Sequence, residues 1–251
     1  MNYELTIVIL TCNQREYTRR CLASLGELPE RADVETIIID NGSNDGTLDM
    51  LRDDFPTVKV IANDRNRGVA AARNQGIAAA TGRYVLLLDN DTIVTPEAID
   101  ALVDYADSHP DVGLCGCRLV DADGNIQDSC KPYPGILNKV RNVLGIKDTH
   151  HFPTDPDGAV EPCYIIGACQ LIRREAIEQV GPLDEAIFYG PEDADYCLRM
   201  AAAGWRVRYL PHITITHLWQ RATTRRWLSP LGRKHLAALL YFWRKHRRYL
   251  R

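Results

Sequence analysis

The sequence predicts an α/β protein with a mostly parallel central sheet covered by helices on both faces. Short aliphatic runs alternate with helix-length segments through the first hundred residues. Those runs are apolar at consecutive rather than alternate positions, as strands buried on both faces are. Each is followed by a polar loop rich in Asn, Asp, Gly or Thr, and open α/β sheets bind ligands at that edge.

Residues 5–10 form the first expected strand, residues 14–25 the first helix and residues 34–39 the second strand. A third strand is expected over 58–61, a helix over 69–80 and a fourth strand over 84–88, where Tyr-Val-Leu-Leu-Leu lies between Gly82 and Pro96. Thr95 and Pro96 supply the N-cap and the N1 proline of a helix running to Ser108. Beyond it, residues 112–120 and 126–127 flank Asp121-Ala122-Asp123-Gly124-Asn125, a turn sequence that predicts a hairpin. Residues 131–160 are rich in Pro, Gly, His and Asp without periodicity, which suggests a mobile substrate loop. A helix starts at Glu192 and is ended by Gly204. Residues 209–219 alternate apolar and polar as a half-buried strand does, with His217 at the exit, and Ser229-Pro230 opens a last helix.

At 251 residues, 45% hydrophobic and 25% charged, the composition is that of an ordinary globular protein. No segment offers the roughly 18 apolar residues that span a bilayer. The N-terminus lacks the basic flank and apolar stretch of a signal peptide, so a cytoplasmic location is expected. The eight cysteines are expected to be reduced, mostly buried thiols, with Cys12, Cys21, Cys169 and Cys197 inside regular elements. Cys115, Cys117, Cys130 and Cys163 lack the paired spacing of a zinc site. Charge is unevenly spread: all 33 acids precede residue 196, whereas residues 196–251 carry 13 Lys and Arg. Such a tail meets nucleic acid, anionic lipid or a phosphorylated substrate, or folds back on the acidic body.

Two constellations carry chemistry. Asp89-Asn90-Asp91-Thr92 closes the fourth strand, placing two carboxylates at the sheet edge. Hard oxygen ligands beside a phosphate-bearing substrate suit Mg²⁺ or Mn²⁺; a polar strand-to-helix loop is the alternative. Glu192, Asp193 and Asp195 crowd a first helical turn, where acids complement the helix dipole. Three acids in four residues exceed what capping needs, and one of them could serve as a general base. His217 by itself reads as a structural histidine.

In this order the motifs resemble glycosyltransferase family 2. The first strand ends in Thr11-Cys12-Asn13 and the second in Asp40-Asn41-Gly42-Ser43-Asn44-Asp45-Gly46-Thr47. Asn66-Arg67-Gly68 leads to Arg73-Asn74-Gln75-Gly76, and Asp89-Asn90-Asp91, the Glu192-Asp193-X-Asp195 helix start and His217 follow. The resemblance covers residues 3 to about 219 and looks closest to bacterial rhamnosyltransferase-like members. It implies the GT-A fold and an inverting, metal-dependent transfer of a sugar, rhamnose by preference, from a dTDP- or UDP-linked donor to a glycan or polyprenyl-linked acceptor. UDP-linked hexoses and galactofuranose are the alternative donors. It implies further that Asp40 hydrogen-bonds the uracil or thymine base and that Thr11, Asn13, Asn66 and Arg73 line the nucleotide pocket. Asp89 would approach the ribose or a metal-bound water, Asp91 would bind Mg²⁺ or Mn²⁺ directly, and His217 would complete the metal site. Asp193 matches the general base, with Gly167, Glu192 and Asp195 as acceptor-side candidates.

A nucleotidyltransferase would need a Gly-rich basic loop after the first strand, which Thr11-Cys12-Asn13-Gln14-Arg15 is not. A non-catalytic sugar- or nucleic-acid-binding module would leave Asp89, Asp91 and Asp193 unexplained. Dinucleotide binding is not expected, since no Gly-X-Gly-X-X-Gly follows a strand. The resulting division is a transferase domain over 1–219, with a nucleotide-sugar half (1–100) and an acceptor half (101–219), and a basic amphipathic segment over 220–251. In that segment Trp227, Tyr241, Phe242 and Trp243 lie among basic positions including Arg248. It is expected to lie peripherally on an anionic inner membrane face, to dimerise or to pack on the body, and not to bind nucleic acid.

Overall fold

The computed structural model describes residues 3–135, 152–218 and 229–247. The first half is doubly wound: β1 (Leu5–Thr11), α1 (Arg15–Ser24), β2 (Val34–Asp40), α2 (Thr47–Asp54), β3 (Lys59–Ala62), α3 (Val69–Ala79) and β4 (Tyr84–Asp89). After it come β5 (Thr92–Ile93), α4 (Pro96–Ser108), β6 (Val112–Val120), β7 (Ile126–Gln127) and β8 (Cys130–Lys131). The chain then runs through β9 (Tyr164–Ile165), β10 (Cys169–Arg173), α5 (Arg174–Val180), α6 (Glu192–Ala202), β11 (Arg206–His217) and α7 (Pro230–Lys245).

The main sheet has the order β3-β2-β1-β4-β10-β6-β11-β5, with β7 paired to β6. Its first four strands are parallel. The second half is mixed: β10 runs antiparallel to both β4 and β6, β11 parallel to β6, and β5 antiparallel to β11. The parallel half is what helical crossovers between consecutive strands produce. Strand register decides burial: alternate side chains of each central strand enter opposite layers. Ile7, Ile9, Leu86 and Leu88 pack with Leu22, Leu25 and Leu102 on one face, whereas Val8, Val85 and Leu87 pack with Ala72, Ile77 and Met200 on the other. The continuous apolar runs are thereby explained, since both faces are covered.

Several elements were not expected: α2, the two-residue strand β5, the β8–β9 ribbon, and β10 with α5. Cys12 stands beyond the end of β1 rather than inside it, and all eight cysteines are free thiols. Of the expected loop, residues 136–151 lie outside the described residues, whereas its end is pinned: Val160 bridges Thr154 and Tyr209, and Asp155 accepts from Arg206 and Arg208.

Helix α7 starts with Ser229, whose hydroxyl accepts from the Gly232 N–H at 3.0 Å. Its inner face joins the second core layer: Phe242 is fully buried, with Ala238 and Leu239 beside it. The expectation that its aromatics face a membrane is corrected for Phe242, whereas Tyr241 is 38% exposed. Phe242 is in the core, Trp243 donates its ring N–H to the Pro134 carbonyl, and Tyr241 donates to Asp184. Trp227 and Arg248 lie outside the described residues. No helix among the described residues is long and apolar enough to cross a membrane.

Candidate functional site

The carboxyl ends of β1, β2 and β4, the start of α6 and the first turns of α7 surround a cleft of about 840 Å³. At its floor stand Asp89, which ends β4, and Asp91, one turn residue beyond it. Pairing of β11 with β5 aligns His217 with Thr92, and the Leu218 N–H donates to the Asp91 carbonyl at 2.8 Å. A residue 126 positions later is thereby carried to the acid pair. One ligand atom from each of Asp89, Asp91 and His217 lies within 4.8 Å of the others, and His217 Nε2 is 3.3 Å from Asp91 Oδ1.

The histidine is oriented from behind. Its Nδ1 is 2.7 Å from the Gln127 side-chain oxygen, while the Gln127 amide donates to the His217 carbonyl at 2.7 Å. An Nδ1–H bonded to Gln127 leaves Nε2 as the lone pair facing the acids, the arrangement of a ligating imidazole with an outer hydrogen-bond partner. Burial would lower the His217 pKa, but Asp91 outweighs it and holds the pKa above its ordinary value. Two carboxylates and one imidazole beside an open cleft fit Mn²⁺ or Mg²⁺, ions that complete their shells with phosphate and water. Gln127 is a residue that the sequence did not single out; only its place in the β7 hairpin, opposite Leu119, puts it there.

Arg73 is the electrostatic centre of the site. This α3 residue is 4% exposed, donates to Asp89 at 2.6 Å and to the Gly167 carbonyl at 2.8 Å, and lies 3.7 Å from Glu192. The expected nucleotide-pocket arginine thus does line the cleft, but its charge is spent on two carboxylates of the protein itself. Gly167 is required to be small here. A Cβ would sit 2.5 Å from the Arg73 guanidinium, which Asp89 holds in place. The Gly167 N–H donates to Asp193 at 3.2 Å, so a single backbone unit links the arginine to the acid at the start of α6.

The three acids of α6 separate. Asp193 is half-buried and lines the cleft. Glu192 also lines it, is 7% exposed, and its Oε2 has no hydrogen-bond partner among the described residues. Burial, with Asp193 adding to it and Arg73 opposing, pushes its pKa up to about 7. Asp195 departs from expectation: it is fully buried and turned away, bonded to Arg199, Lys245 and His246. Consecutive helical residues are rotated by about 100°, so positions 193 and 195 face nearly opposite sides.

At the other end of the cleft, Thr11 and Asn66 line the wall. The Thr11 hydroxyl shares hydrogen bonds with Thr18 and Asn90. Asn66 accepts from Asn41 and the Gly68 N–H, and Asn41 accepts from the Arg67 N–H, which makes Asn41 the brace of this corner. Asp40 and Asn13 are not among the lining residues. Asp40 is 1% exposed and accepts the Gly42 and Ser43 N–H groups on one oxygen, while its Oδ2 has no partner among the described residues. Gly42 has φ +84° and a Cβ there would stand 2.7 Å from the Arg65 backbone, so this turn passes too close for any side chain. Asn13 is exposed and accepts the Asn44 N–H, bracing the same turn. Leu231, Gly232 and His235 of α7 also line the cleft, with His235 Nδ1 3.1 Å from the Tyr189 carbonyl. No local signal marks them, because their place depends on how α7 docks.

The family model described as glycosyl transferase family 2 matches residues 6–181. The N-acetylglucosaminyl-diphospho-decaprenol L-rhamnosyltransferase of Mycobacterium tuberculosis is 29% identical over 96% of this chain and 85% of its own length. The dTDP-rhamnosyl transferase RfbF of Shigella flexneri is 28% identical over 86% of this chain and 70% of its own. Among solved structures, a mannosyltransferase from Pyrobaculum calidifontis in complex with GDP-Man and Mn²⁺ superposes with a TM-score of 0.65 at 18% identity. It covers 96% of this chain, which spans 65% of that one, and the likeness is one of fold.

Proposed function

The chain belongs to glycosyl transferase family 2, and from that premise we propose that it transfers rhamnose from dTDP-rhamnose to a hydroxyl of a diphosphate-lipid-linked glycan, with inversion at the anomeric carbon. The observation that carries the reading is the convergence, in one cleft, of the Asp89–Asp91–His217 group with Glu192 and Asp193 of α6. The relatives named for rhamnosyl transfer, one of them to a decaprenol-linked sugar, support the choice of donor and acceptor.

In this reading Asp91 and His217, with Asp89, hold Mn²⁺ or Mg²⁺, which when bound supplies Lewis-acid stabilisation of the departing nucleoside diphosphate. Arg73 holds Asp89 at the cleft floor and opposes the burial that raises its pKa. Asp40, buried under the 41–46 turn that Asn13 braces, would meet the imide N–H of a thymine or uracil base only once that turn moves aside, while Thr11 and Asn66 shape the wall. On the other side Asp193 takes the acceptor proton as the hydroxyl attacks. An ordinary carboxylate, near pKa 3.9, is too weak a base to deprotonate an alcohol beforehand, so the transfer runs late, as the oxygen becomes acidic. Gly167 holds Asp193 in place through its N–H, and Glu192 borders the same acceptor side.

A panel of dTDP-, UDP- and GDP-linked sugars, each with Mn²⁺, Mg²⁺ or EDTA and a diphosphate-lipid-linked N-acetylglucosamine acceptor, tests the reading. Metal-dependent release of dTDP with formation of a rhamnosylated product is expected. Metal-independent turnover would overturn the metal assignment, and turnover only with another donor would move the enzyme to the hexosyl or galactofuranosyl alternative.

The same reading places the protein peripherally on an anionic inner membrane face, where such an acceptor resides. Support comes from the outward stripe of α7: Arg233, Leu236, Leu240 and Arg244 follow helical spacing, Arg247 lies just past the helix end, and Leu236 and Leu240 are 47% and 57% exposed. Each basic residue near such a surface contributes about 1 kcal/mol. Replacing Arg233, Arg244 and Arg247 by Ala should therefore reduce co-sedimentation with phosphatidylserine vesicles at least tenfold. Unchanged sedimentation, or a concentration-dependent dimer that these substitutions and Leu240→Asp dissolve, would assign the stripe to a second copy of the chain instead.

A further inference from the structure

Asp195 is the one acid of the α6 cluster that the chemistry above leaves unused, and its surroundings are those of a built joint. The carboxylate is fully buried. Its Oδ2 accepts from Arg199 Nε at 2.8 Å, one turn along the same helix; its Oδ1 accepts from Lys245 Nζ and from His246 Nε2, each at 2.7 Å, at the far end of α7. Burial by itself would raise the Asp195 pKa, but the hydrogen bonds from His246 and Lys245 outweigh it and hold the carboxyl at about 2. The joint is reinforced around its rim. Lys245 also reaches Asp184 at 2.6 Å, Tyr241 donates to the same Asp184 at 2.9 Å, and the Phe242 ring packs on His246 with centroids 4.7 Å apart.

A single helix connects this joint to the cleft. Leu231, Gly232 and His235, near the start of α7, line the same cleft as Asp193. Lys245 lies fourteen residues beyond Leu231, a rise of about 21 Å along a straight helix. Rotating or sliding α7 at its C-terminal end would therefore move the cleft wall, and loosening α6 at Asp195 would turn Asp193, on the opposite side of the same helix, and Glu192, less than one turn away. Surface ion pairs are weak and adaptable, but a buried carboxylate with three donors tolerates only one arrangement, because any displacement leaves charge unpaired.

We propose that Asp195, gripped by Lys245 and His246, is the positioning site that locks α6 and α7 into one unit, so that Asp193 meets the acceptor hydroxyl and the first turns of α7 close the acceptor side of the cleft. The proposal rests on the transferase reading above and extends it to residues that touch neither substrate. Its consequence is selective: the donor end is built mainly on β1, β2 and β4 and meets α6 through Arg73 and Gly167, whereas the acceptor end rests directly on α6 and α7.

The test uses full-length His246→Phe, which keeps a ring against Phe242 and removes the donor, His246→Gln, which restores a donor, and Asp195→Asn. Lys245→Met, at a side chain 28% exposed, covers the case in which Asp195→Asn fails to fold. Donor affinity with Mn²⁺ should stay within twofold of wild type in all folded variants. For His246→Phe and Asp195→Asn, kcat should fall 10- to 100-fold, the acceptor KM should rise, and donor hydrolysis should gain on transfer; His246→Gln should recover most of the loss. The Asp195→Asn, His246→Phe double variant should be no worse than the poorer single one, as for residues acting as a unit. A lowered Tm with kcat and acceptor KM within twofold of wild type would overturn the proposal and leave the joint a purely structural one. Hydrogen exchange separates failure of the proposal from failure of the transferase reading, because it needs no turnover. Faster exchange at residues 192–196 and 231–235 together in His246→Phe supports the coupling of the two helices, and unchanged exchange at both overturns it even if no sugar transfer is found.

Discussion

Asp193→Asn should bind the donor as wild type does and turn it over 10²- to 10⁴-fold more slowly, the range typical of losing a general base. The amide has the shape of the carboxylate, and its oxygen can still accept the Gly167 N–H that holds Asp193 in place. What it loses is the ability to take a proton. Glu192 is the internal control. It lies at the same helix start, with an unpartnered Oε2 and a pKa pushed up to about 7. If Asp193→Asn keeps near-normal turnover and Glu192→Gln abolishes it, the base is Glu192, and the acid limb of the pH profile should then lie near neutrality. If Asp193 is the base, Glu192→Gln should change turnover far less than Asp193→Asn does. Steady-state kinetics on both variants from pH 5 to 8, with donor binding measured by calorimetry, distinguishes the outcomes.

Asp91→Ala should abolish Mn²⁺-supported binding of the nucleoside diphosphate and leave the fold intact. The fold should survive because Asp91 belongs to the cleft-lining turn after β4 rather than to either core layer. Binding should not survive, because the side chain lies between Asp89 and His217 and no other described acid stands within the group. Removing it leaves one carboxylate already committed to Arg73 and one imidazole, too few ligands for a hard divalent ion. Calorimetry of dTDP and UDP with and without Mn²⁺, alongside thermal unfolding, reads both halves of the expectation. Equal nucleotide affinity with and without metal in the wild type would overturn it. Gln127→Leu should act in the same direction more weakly, by releasing the ring that His217 presents, with the 10- to 100-fold loss usual for outer partners of metal ligands.

Part of this site was legible before any coordinates. The runs at residues 5–10, 34–39 and 84–88 announce strands covered on both faces, and residues that end such strands must lie at one sheet edge. Thr11, Asn41, Asp89 and Asp91 were located by that argument, and the order of the motifs supplied the family. Other features were beyond its reach. Cys169–Arg173 is a central strand, yet it contains Gln170 and Arg173, and both are buried only because the Ile165 and Val112 carbonyls come to meet them. Arg73 was expected to line the nucleotide pocket; it does line the cleft, and the fold also makes it the partner of Asp89 and Glu192, which no local signal announced. The aromatic residues of α7 suited a membrane surface, a dimer or packing on the body alike, and docking put Phe242 into the core and left Leu236 and Leu240 outside.

The sequence by itself determined the α/β class, the edge at which chemistry is done and the kinds of group available there, because apolar periodicity, caps and strand-end composition are local and each is written within a few residues. Only the tertiary structure decided which of the three acids at one helix start line the cleft and which is buried in a joint, how His217 is brought to the Asp89–Asp91 pair, and which face of the last helix is exposed. Those outcomes depend on partners far away in the chain: Gln127 for His217, Gly167 for Asp193, and Lys245 and His246 for Asp195. A carboxylate has the same local sequence signature whether it waits for a substrate or is already neutralised, and burial with its hydrogen-bond donors, which only the fold supplies, separates the two.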